Sequence, residues 1–187
     1  MIDYSVIIPA FNEEDHIGKT LCQLHLASLK TDLTGEFIVV DNNSTDTTAL
    51  IAEQHGAIVV TEPFRQIARA RNTGAKSAQG RFLIFVDADT TVSPKLLKKT
   101  LKLLLSEKIA GGGAMVEFDT PCHFPAKAFL CLWQRLSKAA RLAAGCYLYA
   151  RADAFKQTGG FEERVFASEE LHLSFNLRCW AIANGKR

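Results

Sequence analysis

The 187-residue sequence lacks several things that would place it in a particular class. It has no strong charge of either sign: 22 basic against 20 acidic side chains leave a formal net charge of +2. Nucleic-acid binding, which needs a concentrated basic face, is therefore not expected. It has no paired cysteines. Cys22, Cys122, Cys131, Cys146 and Cys179 are scattered and odd in number, with no Cys-x-x-Cys, which argues against a disulfide framework and a zinc site. They read as small buried hydrophobes in a reducing compartment. No apolar run approaches the roughly 18 residues needed to span a bilayer. Met1-Ile2-Asp3-Tyr4 leads straight into a strand-like run, without the basic and then apolar segments of a signal peptide. These absences predict a cytoplasmic protein whose surface is still free to touch a membrane. No internal repeat, low-complexity tract or linker interrupts the chain.

What is present is an ordinary globular composition, 48% hydrophobic and 22% charged, at about the size of one domain. Ser5 to Pro9 reads as a buried strand stopped by Pro9. Ile17, Leu21, Leu24 and Ser28-Leu29 follow at helical spacing, with Asn12 as N-cap and Glu13, Glu14 and Asp15 at the positive end of the helix. Glu36–Val40 is a second strand, and the helix after it ends at Gly56 as its C′ residue. Ala57–Val60 is a third strand, Arg69–Gln79 a third helix closed by Gly80, and Arg81–Val86 the most apolar strand. Strands separated by helices predict an α/β fold with a mostly parallel, doubly wound sheet. After Gly111-Gly112-Gly113 the pattern is less regular. Strands are expected at Ala114–Phe118 and Cys146–Ala150, and a last helix from about Glu169 to Asn184.

In such a sheet, ligands gather beyond the carboxyl ends of the strands. Three ends are polar there: Pro9-Ala10-Phe11-Asn12-Glu13, Asp41-Asn42-Asn43-Ser44 and Asp87-Ala88-Asp89. Asn42, Asn43 and Asp46 read as turn and cap residues. Alternate residues of an extended chain point the same way, so Asp87 and Asp89 can both reach one Mg²⁺ or Mn²⁺ completed by phosphate oxygens and water. A solvated turn is the plainer reading of the same pair. Arg65, Arg69, Arg71 and Lys76 form a stretch without acids, suited either to a pyrophosphate or to a solvated helix face. Glu169 and Glu170 follow Ser168, a possible cap for the last helix. They suit a first helical turn or a general base equally. Lys127, Gln134, Lys138 and Arg141 fall near one face of a helical segment within 124–143, opposite Phe129, Leu132, Trp133, Leu136 and Ala140. That segment either rests on an anionic membrane or packs on the sheet.

In order along the chain, Ser5–Glu13, Val39–Asp46, Ala70–Ala75, Phe85–Asp89, Gly159–Glu163 and Ser168–Leu171 resemble the family-2 glycosyltransferases with a GT-A fold. The resemblance covers nearly the whole chain. It implies a single GT-A domain over 1–187, with about 1–90 binding a nucleotide-diphospho-sugar and about 91–187 an acceptor. It implies inverting transfer of one sugar, from a UDP-sugar in preference, to a carbohydrate or lipid-linked acceptor. Pro9, Ala10, Phe11, Asn12, Glu13 and Asp41 would hold the nucleoside, Arg71 and Asp87 the diphosphate side, and Asp89 with Asp87 a Mn²⁺ or Mg²⁺ ion. Glu170, beside Glu169, matches the catalytic base, where the family usually has Asp. The Gln-x-x-Arg-Trp signature of processive members is absent; Arg178-Cys179-Trp180 only looks similar. Relatives usually continue beyond the position of Arg187; if the natural protein is longer, part of the acceptor site lies outside this sequence. Two other readings stay open: a phosphohydrolase resembling the haloacid dehalogenases, with Asp87 as nucleophile and Asp89 as acid/base, and a non-catalytic sugar-nucleotide sensor.

Overall fold

A computed structural model describes residues 1–114, 145–165 and 169–186. Strands β1 (Tyr4–Ala10), β2 (Gly35–Asp41), β3 (Ile58–Thr61) and β4 (Phe82–Val86) alternate with helices α1 (Ile17–Ser28), α2 (Thr48–Gln54) and α3 (Ile67–Ser77). Then come α4 (Pro94–Leu105), β5 (Gly111–Gly113), β6 (Tyr147–Arg151), α5 (Ala152–Gln157) and α6 (Glu169–Ala183). The six strands form one sheet in the order β3-β2-β1-β4-β6-β5. The first four are mutually parallel, while β6 runs antiparallel to both β4 and β5.

Strand alternation divides the core. Tyr4, Val6 and Ile8 meet Ile17, Leu21 and Leu24 of α1 and Leu97, Leu101 and Leu104 of α4 on one face. Ile7, Val40, Leu83 and Phe85 meet α3, Phe155 of α5, and Leu173, Leu177 and Ala181 of α6 on the other. The doubly wound arrangement expected from the sequence is therefore present.

Several local expectations need correction. Strand β1 continues through Pro9, which lies beyond the last β1–β4 pair, Ile7↔Phe85, so no rung needs its missing N–H. Helix α1 begins at Ile17 with His16 at the N-cap, and no acid occupies its first turn. Gly56, at φ +74°, does follow α2 as expected. Gly80, in contrast, is no helix cap: α3 ends at Ser77, and a Cβ on Gly80 would stand 2.5 Å from the Tyr4 backbone carbon. Helix α4 was not anticipated, although Ser93 caps it by accepting from the Leu96 N–H and Pro94 opens it. The glycine triplet is itself an edge strand. Cys22 and Cys179 are exposed, not buried. Residues 115–118 of the expected strand, the 124–143 segment, Cys122, Cys131 and Ser168 lie outside the described residues. No helix among the described residues is long and apolar enough to cross a membrane.

Candidate functional site

The loops after β1 and β2 are laced together. Asn12, in the left-handed region at φ +55°, donates its N–H to Ser44 Oγ (3.1 Å) and accepts at Oδ1 from the Thr45 N–H (2.8 Å). Its side chain thus ties two loops and does not cap α1. The Glu13 N–H donates to Thr48 Oγ1 (2.8 Å), while Glu14 Oε2 accepts from the Thr47 hydroxyl (2.6 Å). Asp46 accepts from the Thr48 hydroxyl and from the N–H groups of Thr48 and Glu14, which together outweigh the opposing effect of burial and hold its pKa below the usual carboxylate range. Asn42 is buried and donates to the Glu62 and Phe64 carbonyls while accepting from the Gln66 N–H. Asn43 turns the chain at φ +67°. All three Asx residues read as turn and cap residues do structural work.

Around this lacing sit the other expected nucleoside contacts. Pro9 is half-buried and Ala10 buried beneath the loop. Asp41 is half-buried and accepts from the Ser44 N–H (3.1 Å). The Phe11 ring is 40% exposed, with the Arg65 guanidinium 4.3 Å from its centroid. Such a part-exposed aromatic ring, one residue beyond Ala10, which pairs with Asp41, suits a heterocyclic base.

Beyond β4 the backbone turns at once. The Thr90 N–H donates to the Asp87 carbonyl (3.0 Å), so residues 87–90 form a turn and the extended-chain argument for Asp87 and Asp89 fails. Asp89 is exposed and Asp87 partly so. Burial pushes the Asp87 carboxyl up from its ordinary value; Arg71 opposes that, while Asp89 and Glu170 add to it. Asp87 therefore lies within reach of the charges of both Asp89 and Glu170. Among the described residues, no group of three or more His, Cys, Asp or Glu is gathered tightly enough to hold a metal unaided.

Arg71 departs from the expectation of an open phosphate contact. It is 1% exposed. Its Nη1 donates to Glu169 Oε1 (2.7 Å), and its Nη2 donates to Asp87 Oδ1 (3.0 Å) and the Gly145 carbonyl (2.9 Å). Glu169, 5% exposed, is shifted up by burial and by neighbouring Glu170, against the pull of Arg71. The Glu170 carboxylate lies close by: a Cβ on Gly145 would stand 3.7 Å from its Oε1. Arg69 pairs with Glu163 (3.5 Å) and Arg65 lies over Phe11, so the basic stretch is largely engaged by the protein itself.

Two residues without an assigned role hold the far side. Asn72 donates to the Phe161 carbonyl and Glu163 Oε1, and accepts from the Phe161 N–H. Gln66 Nε2 donates to the Glu163 and Val165 carbonyls. Asn72 adjoins Arg71 in a recognisable motif, but Gln66 and Gly145 carry no local signal; their partners lie 74 to 99 residues away.

The chain is similar to known glycosyltransferases over much of its length. The Haloferax volcanii glycosyltransferase AglE is 27% identical over 90% of this chain and 59% of its own. The putative teichuronic acid biosynthesis glycosyltransferase TuaG of Bacillus subtilis is 32% identical over 63% of this chain and 49% of its own. The chain thus spans about half to three fifths of these relatives. Among solved structures, a mannosyltransferase from Pyrobaculum calidifontis in complex with GDP-Man and Mn²⁺ superposes with TM-score 0.71 at 22% identity, over 90% of this chain and 50% of that one. TarS 1–349 of S. aureus superposes with TM-score 0.72 at 23% identity, over 94% and 56%. These likenesses establish the GT-A fold. The pattern defining Glycosyl transferase family 2 matches residues 5–147, and the chain belongs to that family.

Proposed function

We propose that the protein is an inverting glycosyltransferase that moves one sugar from a nucleotide-diphospho-sugar, a UDP-sugar in preference, to an acceptor hydroxyl with Mn²⁺ or Mg²⁺. The observation that carries this reading is the gathering, at the carboxyl ends of the adjacent strands β2, β1 and β4, of Asp41, the part-exposed Phe11 ring, and Asp87 with Asp89 and Glu170 near enough to act on its carboxyl. Solved neighbours bound to UDP, to UDP-GlcNAc, and to GDP-Man with Mn²⁺ support a nucleotide-sugar donor.

The acids fit a divalent cation as a partial shell. Their hard oxygens suit the ion, and added positive charge would offset the burial, and the lesser push of Asp89 and Glu170, that raise the Asp87 pKa. Asp89 would be the direct ligand and Asp87 its companion. When bound, such an ion neutralises charge growing on the leaving diphosphate. The chain's own residues do the remainder. Phe11 stacks on the base, Asp41 accepts a hydrogen bond from it, and Glu170 takes the proton of the acceptor hydroxyl. The acceptor oxygen bonds to the anomeric carbon from the face opposite the diphosphate, which departs with the electron pair. About residues 1–90 serve the donor and about 91–187 the carbohydrate or lipid-linked acceptor. The 124–143 segment is the place for peripheral contact with a cytoplasmic membrane face.

Calorimetric titration of UDP, GDP, TDP and CDP, each with Mn²⁺ and with chelator, tests this. We expect UDP to bind only with metal, and Asp89→Ala to weaken that binding at least tenfold, about 1.4 kcal/mol. A folded protein that binds none of the four overturns the reading.

A further inference from the structure

We propose that Arg71 is a positioning residue that sets Glu170 through Glu169 and Gly145, and is not a ligand of the donor's diphosphate. The inference deepens the glycosyltransferase reading and rests on it. Both terminal nitrogens of the guanidinium are committed to protein oxygens, on Glu169, Asp87 and Gly145. The group lies 5.2 Å from the Phe161 ring centroid and has almost no surface. On the Nη1 side a phosphate would have to displace the buried Glu169 carboxylate, leaving that carboxylate's charge uncompensated, and on the Nη2 side it would compete with Asp87 and the Gly145 carbonyl.

The same bonds explain how Glu170 is aimed. Glu169 is the first residue of α6, so the 2.7 Å pair pins that helix where Glu170 begins. The Gly145 carbonyl is held by the other terminal nitrogen, Nη2, and Gly145 packs beside the Glu170 carboxylate with only hydrogen where a Cβ would stand. Upstream, Gln66 and Asn72 of the α3 region fasten Phe161, Glu163 and Val165. One helix, α3, therefore grips both the β4 end that carries Asp87 and the segment that delivers Glu170. Glu169, by this account, is an anchor and not the base.

The test uses Mn²⁺ with two probe pairs, UDP with UDP-GlcNAc and GDP with GDP-mannose. It reads nucleotide Kd by calorimetry, and KM and kcat for donor hydrolysis with water as acceptor. Arg71→Lys keeps the charge but loses the fork. A shift of roughly 1 Å at Glu170 predicts a kcat loss on the order of 100-fold, with nucleotide Kd within about threefold of the parent. Glu169→Gln keeps an acceptor for Nη1 and is close to isosteric. Its expected kcat loss is about tenfold, far milder than that of Glu170→Gln. A nucleotide Kd weakened more than about tenfold in Arg71→Lys, with kcat unchanged at saturation, would make Arg71 a phosphate ligand and overturn the proposal. Glu169→Gln as damaging as Glu170→Gln would make Glu169 the base and overturn it too. If Arg71→Lys does not fold, the two glutamine variants decide alone. A wild type that binds neither nucleotide defeats the glycosyltransferase reading instead, before any variant is compared.

Discussion

Replacing Gly74 by alanine tests how closely α3 must approach the sheet. A Cβ there would lie 2.4 Å from Ile7 Cγ2 and 2.8 Å from Val40 Cγ2, against the 3.5–4.0 Å of a normal carbon contact. Both neighbours are fully buried in strands β1 and β2, so neither side chain can swing aside. Overpacking of this kind costs about 1–3 kcal/mol, and two methyl overlaps at once favour the upper end. Helix propensity returns about 1 kcal/mol, since Gly74 has ordinary helical geometry. The net loss is about 2 kcal/mol, or a fall in Tm of about 4–8 °C at this chain length. Thermal and urea unfolding measure it. Ile7→Ala alone should cost about 2–5 kcal/mol through the cavity it leaves. Combined with Gly74→Ala, the new methyl enters that space, and the double variant should beat additivity by about 1 kcal/mol or more. A stabilised Gly74→Ala, or strict additivity in the pair, would refute the reasoning.

Asp87→Asn should stabilise the metal-free protein while weakening metal-dependent nucleotide binding. The folded pKa of Asp87 lies above its ordinary 3.8, so its contribution to stability is present below 3.8 and lost as pH rises through the folded value. The difference in Tm, variant minus parent, should therefore be near zero in acid and positive at neutral pH; a negative difference at neutral pH counts against it. Phe11→Ala should weaken all four nucleoside diphosphates alike by about 1–3 kcal/mol, the usual worth of stacking a base on an aromatic ring, and unchanged affinities by calorimetry would remove Phe11 from the site.

Much of the architecture was readable because it rests on local pattern. Runs such as Phe82–Val86 are apolar throughout, as strands covered on both faces must be, and the helices between them declare parallel crossovers. Gly56 was readable for the same reason, since a helix end needs a residue tolerant of positive φ. The failures lie where distant groups decide. Asn12 has the chemistry of an N-cap, but its partners are 32 and 33 residues away in the next loop. Gly80 follows a helix, yet it is there to let the Tyr4 and Ser5 backbone pass. The arginine at 71 suggested an open anion site by residue type alone. Its burial depends on carboxylates 16 and 98 residues further on, which no window of sequence reveals. Helix α4 is a different case. Ser93-Pro94 followed by Leu97, Leu101 and Leu104 is a complete local signal, and it was overlooked.

The antiparallel placement of β6 bears on recombination between relatives. Its five pairs with β4, from Phe82↔Arg151 to Val86↔Tyr147, stitch sequence from beyond residue 90 into the sheet that the first ninety residues begin. A chimera that joins the first ninety residues of this chain to the later portion of a relative must reproduce that register. A slip of one position would turn Leu148 and Ala150 from one core and Tyr147 from the other to the wrong sides. The seam for exchanging specificity is thus a ladder of hydrogen bonds rather than a linker, and successful grafts will be those that carry β6 from the same parent as β4.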